Sequence, residues 1–182
     1  MKQLSKLFAA GALLAAAQTN ALVIDFGATP WTPGANNESS YSSYYDLTGN
    51  VTVEAGPAGR TLFANDPEDG LGVNNNGSRE HDELEHDEYI SIVFERAVNL
   101  VSIRLTDLFP FSNHADNNNF DGFSGYGEIA NIEFWLNGTN VTDIRLIGNN
   151  STAQNGDQTW LAPNGLVVDK IIFRAPDSIV AG

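Results

Sequence analysis

Apolar and polar residues alternate along several short segments of this chain. In residues 90–95, 101–106 and 132–137 every second side chain is apolar, and most of those between are polar or charged. Successive side chains of a strand point to opposite faces of its sheet. The period of two therefore predicts strands that bury one face and expose the other to water, as in antiparallel sheets.

Runs of β-branched and aromatic residues are separated by Gly, Asn, Asp and Pro along the chain. Two short connections are expected, at Arg96-Ala97 and at Asn137-Gly138, which is a strong hairpin signal. No helix of ten or more residues is predicted after the N-terminal segment. The pattern indicates an all-β, two-sheet antiparallel sandwich, with a jelly roll as the expected connectivity. Strands are predicted over residues 22–26, 50–54, 60–64, 89–95, 98–106, 129–137, 141–147, 158–162 and 166–174.

Two segments do not fit strands. Residues 65–88 are strongly acidic, and residues 107–128 are rich in Asn, Gly and Phe. Connections of this length in a compact domain are often functional, so we expect binding residues in these two segments.

The first 21 residues have the pattern of a cleavable export signal. Lys2 and Lys6 give a positive start, residues 7–17 form an apolar run, and Ala21 is a small residue before the expected cleavage point. The run is shorter than the ~20 apolar residues that span a bilayer. We therefore predict a signal peptide at residues 1–21, a single domain over residues 22–182, and a secreted or cell-surface location.

The charge of the chain restricts its partners. Removal of residues 1–21 takes away two of the nine basic residues and none of the 23 acidic ones, so the formal charge changes from −14 to −16 (7 basic against 23 acidic residues). A field this negative repels nucleic acid and anionic lipid, so neither is an expected partner, and it attracts divalent cations. Because the chain has no cysteine, bound Ca²⁺ is one candidate for holding its loops.

Three short elements follow one another in a recognisable order: Asp69-Gly-Leu-Gly-Val73, Asp82-Glu-Leu-Glu85, and the strand pair of residues 88–94 and 98–108. The series resembles the sandwich domain of bacterial exoproteins of the PEP-CTERM (exosortase-sorted) type, over residues 22–174. The resemblance implies a surface or matrix location more than a chemistry. No Pro-Glu-Pro sorting tail precedes the last residue, Gly182, so the anchoring that such a tail would imply is not carried over.

Oxygen-bearing residues in the 107–128 segment have the spacing of a calcium loop. With Asn117 as position 1, Asn119 and Asp121 fall at positions 3 and 5, Gly122 at 6 and Glu128 at 12, as in an EF-hand. Asn at position 1, a polar residue at position 8 and the lack of predicted flanking helices depart from that pattern. An ion-free Asn/Asp/Gly loop is the alternative.

A second cluster of carboxylates lies in the 65–88 segment. Carboxylates this dense repel one another unless they are solvated or bridged by a cation. Four of them belong to the elements of the resemblance and are the expected calcium ligands: Asp69, Asp82, Glu83 and Glu85. A solvated acidic face is the alternative.

Catalytic patterns are weak in this sequence. His81 and His86 flank the second element, but their spacing of five is not that of a zinc-protease helix and would place them on opposite faces of a strand. His114 is the only other histidine, and there is no cysteine. We therefore predict no catalytic residue. A glycan-active hydrolase or lyase that uses paired carboxylates is the enzymatic alternative.

Trp135 occupies a polar position of its predicted strand, between Glu133 and Asn137. An outward indole ring can support the apolar face of a sugar, and the neighbouring carboxylate and amide can bond to its hydroxyls. These three residues are the expected ligand-binding residues, with Trp31 and Trp160 as further aromatic candidates. The alternative is that a loop or a neighbouring copy covers Trp135.

Together these features predict a secreted, non-catalytic binding or matrix module, supported by calcium, with a polysaccharide or copies of itself as partner. The structural alternative is a subunit of an extracellular filament or biofilm matrix, in which a last strand is donated between neighbours. No membrane insertion is expected once the signal is removed.

If calcium bridges these carboxylates, it stabilises the folded state by mass action, because it binds the folded chain and not the unfolded one. We expect a higher melting temperature in about 5 mM CaCl₂, a concentration suited to weak extracellular sites, than in excess EDTA. MgCl₂ at the same concentration controls for ionic strength. Identical melting curves in CaCl₂ and EDTA would contradict the calcium prediction.

Overall fold

A computed structural model of the chain describes residues 22–64, 70–74, 84, 88–105, 129–147 and 158–174. The predicted signal, residues 1–21, lies outside them. A short helical turn, α1 (Trp31–Gly34), precedes the strands, and no helix of the described residues is long and apolar enough to cross a membrane. The strands are β1 (Ser40–Tyr45), β2 (Gly49–Gly56), β3 (Thr61–Phe63), β4 (Gly72–Asn74), β5 (Tyr89–Asn99), β6 (Ser102–Leu105), β7 (Ile129–Leu136), β8 (Thr139–Ile147), β9 (Gln158–Leu161) and β10 (Val167–Arg174).

Six strands form one antiparallel sheet in the order β1-β2-β5-β10-β7-β8, and the other four form the pairs β3–β4 and β6–β9. Both pairs contribute to one hydrophobic core. Leu62 of β3 and Val73 of β4 are fully buried in it, and Ile103 of β6 and Trp160 of β9 pack against it. The chain is therefore an antiparallel all-β sandwich, as predicted. The described strands leave the jelly-roll connectivity a prediction.

The core lies on one face of the six-stranded sheet. On β5, Ile90, Ile92 and Phe94 are at most 9% exposed. Their neighbours across the sheet include Val51, opposite Phe94, and Val53, opposite Ile92, and both valines are fully buried. The alternation seen in the sequence is thus the alternation between this core face and the opposite face.

The hairpin between β7 and β8 has the turn that its sequence predicts. Asn137 and Gly138 both have positive φ, 51° and 75°, as a two-residue type I′ turn requires. The backbone N–H of Asn137 donates to Oδ2 of Asp169 on β10 at 2.7 Å, which ties the turn to the neighbouring strand.

Other predicted elements were wrong. Residues 22–26 form no strand, although Ile24 and Phe26 pack against the core. The connection predicted at Arg96-Ala97 lies inside β5. Residues 94–97 form a bulge opposite the single residue Asp169 of β10, and β5 then continues to Asn99. Two strands, β1 and β4, were not predicted.

The core position of Phe134 predicts a large effect of its truncation. Phe134→Ala removes a fully buried ring and should lower the free energy of unfolding by about 3–5 kcal/mol, since the transfer and cavity terms add. Leu161→Ala is the control, because Leu161 is 73% exposed, and it should stay within about 0.5 kcal/mol. Chemical denaturation measures both changes. Similar losses in the two variants would contradict this assignment of the core.

Candidate functional site

The candidate site lies on the outer face, which we define as the face of the six-stranded sheet turned away from the core. Trp135 and Glu133 of β7 lie on this face, because they alternate with the buried Ile132 and Phe134. The strand register sets three rows of outer-face residues across β10, β7 and β8: Lys170–Trp135–Asn140, Ile172–Glu133–Asp143, and Arg174–Asn131–Arg145.

Glu133 connects two neighbours on the outer face. Its Oε2 accepts a hydrogen bond from the indole Nε1 of Trp135 at 3.0 Å, and its Oε1 accepts one from Nε of Arg174 at 2.7 Å. The second contact is also an ion pair between side chains that are 23% and 37% exposed. Glu133 therefore holds the indole and the guanidinium in fixed positions, as charge-assisted hydrogen bonds do.

Two cation–π contacts flank this carboxylate. The Lys170 ammonium lies 4.8 Å from the centroid of the Trp135 ring, and the Arg174 guanidinium lies 4.6 Å from that of Tyr89. Such contacts contribute roughly 0.5–1 kcal/mol each at exposed sites. One face of the indole is thus covered by an ammonium. A sugar must stack on the other face or displace Lys170.

Tyr89 needs a glycine beneath it. Gly56 lies opposite Tyr89 in the register, and a Cβ at Gly56 would collide with the tyrosine ring. In the next row, Ser91 and Ile172 are only 5% exposed, although they lie on the outer face and Ile172 is not part of the core cluster. The flanking rows carry long side chains, the Lys170–Trp135 pair on one side and the Arg174–Tyr89 pair on the other. This part of the outer face is a packed layer of polar and aromatic side chains.

An open depression of about 420 Å³, here called the polar depression, lies between β7, β8 and Arg174. Trp135 does not line it, but its hydrogen-bond partner Glu133 and its cross-strand partner Asn140 do. Carboxylates, amides and guanidinium groups thus face one open space, a combination suited to hydrogen bonding with a polar ligand. The polar depression is lined by Asn131, Ile132, Glu133, Asn140, Asp143, Ile144, Arg145 and Arg174.

The predicted ligand-binding residues are only partly brought together. Trp135 and Glu133 are bonded to each other, whereas Asn137 lies exposed in the β7–β8 turn. There it lines a second open depression of about 350 Å³ together with Asp169 and Lys170. Asn137 does not line the polar depression.

The two further aromatic candidates belong to the core. Trp31 is fully buried, and its Nε1 donates to the Tyr45 hydroxyl at 2.8 Å. Trp160 stacks on Phe134 with ring centroids 5.0 Å apart. Trp31 and Trp160 therefore do not join Trp135 on an open surface, and that prediction was wrong. The sequence could not show this, because the apolar packing of an indole depends on the elements that cover it.

The predicted calcium ligands all lie outside the described residues, so the calcium sites stay a prediction. These residues are Asp69, Asp82, Glu83, Glu85, Asn117, Asn119, Asp121 and Glu128. No group of three or more metal-ligating side chains occurs within the described ranges. Glu88, which ends the acidic segment, is 1% exposed and forms an ion pair with Nε of Arg60 at 3.3 Å. This acid is therefore buried and paired, not solvated.

The sequence did not identify five further residues of the site: Asn131 of β7, Asp143 and Arg145 of β8, and Lys170 and Arg174 of β10. Each occupies a polar position of a predicted strand, which is the only signal that the sequence offers. Strand order and register place these five side chains on the same part of the outer face as Glu133.

Comparisons with known proteins leave the family open. No protein-family model and no curated protein matches the sequence. The chain is similar to a solved structure described as the family 32 CBM from C. perfringens NanJ in complex with galactose. The two share 16% sequence identity with a TM-score of 0.41, over 78% of this chain and 90% of the other. A TM-score this low supports no conclusion about this chain, and the resemblance to PEP-CTERM exoproteins stays a prediction.

The bond between Glu133 and Arg174 can be measured by a double-mutant cycle. Because both side chains are partly exposed, we expect a coupling free energy of about 0.5–1 kcal/mol between Glu133→Ala and Arg174→Ala in chemical denaturation. The cycle of Asp143→Ala with Arg174→Ala is the control, since Asp143 forms no ion pair within the described chain. Equal coupling in the two cycles would contradict a specific Glu133–Arg174 bond.

Proposed function

We propose that the protein is a secreted, non-catalytic module that binds a polysaccharide on the outer face of β7, β8 and β10. The observation that carries this proposal is the polar depression, whose hydrogen-bonding groups face one open space and include Glu133, which is bonded to the Trp135 indole. Sugars present hydroxyls at their edges and C–H groups on their faces. Polar groups beside an aromatic ring suit both kinds of surface.

The fixed geometry of the site supports binding. Glu133, Trp135 and Arg174 are held by one another, so little side-chain freedom is lost when a ligand orders them. The polar depression is open, which suits a long polymer that passes across the sheet. Calcium, as predicted from the acidic segments, would act on stability and not in this depression.

A hydrolase or lyase is the enzymatic alternative, and one observation bears on it. Glu133 and Asp143 lie directly opposite each other on β7 and β8, so two carboxylates flank the polar depression. Glycosidases use such a pair, with one member protonated to act as the general acid. Both oxygens of Glu133 are engaged, by the Trp135 indole and the Arg174 guanidinium, so this carboxylate is held as a structural group and not left free to react. This favours binding over hydrolysis.

Self-association is the second candidate function. Within the described sheet, β8 is an edge strand, and its Val141 and Ile147 are 44% and 37% exposed. An exposed edge strand can pair with a strand of another copy. Size-exclusion chromatography over a range of protein concentrations tests this candidate: high-molecular-weight material supports a matrix subunit, and a monomer at all concentrations contradicts it.

The polysaccharide proposal is tested by a glycan array followed by titration calorimetry on the best ligand. Trp135→Ala should weaken binding by about 30-fold, since truncation of a central aromatic residue typically costs about 2 kcal/mol. Reducing-end release from the same polymer tests for hydrolysis, and none is expected.

Tyr44→Ala is the matched control. Tyr44 is 61% exposed on the outer face of β1, four strand spacings or about 19 Å from β7. Its loss should leave the affinity unchanged. Retention of full affinity in Trp135→Ala, or no binding to any glycan, would contradict the proposal.

A further inference from the structure

We infer that the bound saccharide carries an oxyanion group, a carboxylate or a sulfate ester, and that Arg145 and Arg174 bind this group. The inference rests on the polysaccharide-binding function proposed above and names the ligand class of the same depression.

The two arginines lie on opposite sides of one residue. In the register, Asn131 of β7 is opposite Arg174 of β10 on one side and Arg145 of β8 on the other. Because adjacent strands are about 4.8 Å apart, the two backbone positions are about 10 Å from each other, within reach of one ligand group for two side chains of this length. Both arginines line the polar depression.

Each arginine is anchored through its Nε. Nε of Arg174 donates to Oε1 of Glu133 at 2.7 Å, and Nε of Arg145 donates to Oδ1 of Asn131 at 3.0 Å. Within the described chain, no hydrogen bond or ion pair involves the terminal amino groups of either side chain. A guanidinium that is fixed at Nε and open at its terminal nitrogens presents the planar pair of donors that binds an oxyanion.

The charges around the polar depression point to the same ligand class. Glu133 neutralises Arg174, but Arg145 forms no ion pair within the described residues. Three of the nine basic residues of the chain, Arg145, Lys170 and Arg174, lie on this part of the outer face of a protein with a formal charge of −14. Scarce positive charge is therefore concentrated at the candidate site.

The overall negative charge opposes a polyanion only at long range. At about 0.15 M ionic strength the Debye length is about 8 Å, so distant carboxylates are largely screened and the adjacent arginines decide the local interaction. Glu133 and Asp143 face the same depression and disfavour a ligand with dense charge. The arrangement suits a sugar with one anionic group among hydroxyls, which the carboxylates and the Asn131 and Asn140 amides can bind.

The test is affinity electrophoresis of the folded protein at about 150 mM NaCl, the ionic strength at which distant charges are screened. The gels contain polygalacturonate, a sulfated galactan or a neutral galactan. The variants are Arg145→Gln, Arg174→Gln and Arg174→Lys, with circular dichroism as the check of folding. Arg104→Gln, at an exposed position of β6 in the other layer of the sandwich, is the charge-matched control.

We expect retardation by an anionic polymer and not by the neutral galactan. Loss of a charge-assisted hydrogen bond should weaken binding about 10-fold or more in each Arg→Gln variant, while Arg104→Gln keeps the parent affinity. Arg174→Lys keeps the charge but loses the planar donor pair, so it should recover only part of the affinity. Arg145 forms no bond with Glu133, so its substitution leaves the Glu133–Arg174 bond intact. Arg145→Gln therefore tests the inference even if Arg174→Gln is unstable.

The three gels separate the possible outcomes. Retardation by polygalacturonate identifies a carboxylate, and retardation by the sulfated galactan alone identifies a sulfate ester; either supports the inference. A third outcome is that the neutral galactan retards the protein in a way that depends on Trp135 and is unchanged in both Arg→Gln variants. That result overturns the inference but leaves the proposed function intact. No retardation in any of the gels, together with no binding on the glycan array, overturns both.

Discussion

Successive side chains of β7 point to opposite faces of the six-stranded sheet, and both the core and the candidate site depend on this alternation. Ile132 and Phe134 are fully buried on one face, while Glu133 and Trp135 lie on the other. The strand register is specified by the buried pair, because a shift by one residue would move the apolar side chains into water. The same specification fixes the neighbours of Glu133. Packing on the core side thus places the polar groups on the outer side.

Glu133 organises the outer face. A carboxylate that accepts bonds from both an indole and a guanidinium restricts two long side chains, and each of these lies in a cation–π pair that involves β10. Since these contacts are partly exposed, their contribution to stability is small compared with that of the core. Their main consequence is the fixed position of polar groups around the polar depression. The site therefore depends on the sheet for its position and on Glu133 for its internal order.

Strand prediction succeeded where local pattern and tertiary context agree. β2, β5, β7 and β8 combine β-branched or aromatic residues with a period of two, β10 is rich in the same residue types, and the Asn137-Gly138 turn has the backbone that its residues favour. β1 was missed because its sequence consists of Ser and Tyr and has no apolar alternation. Its core face is made by Tyr41 and Tyr45, which contact the buried Trp31. The apparent turn at Arg96-Ala97 is a bulge, which a single strand cannot reveal because a bulge is defined by its partner.

The sequence by itself determined the all-β class, the outward phase of Trp135 and its proximity to Glu133, because these follow from the two-residue period of one strand. It also determined the acidic character of the chain, which disfavours nucleic acid as a partner. Only the tertiary structure decided that Arg174, Arg145 and Asp143 share a surface with Glu133. It also decided that Trp31 is buried, that Trp160 packs against the core and that Lys170 covers one face of Trp135. The physical reason is that strand order and register are long-range properties: they result from how the whole core packs, and no local pattern contains them.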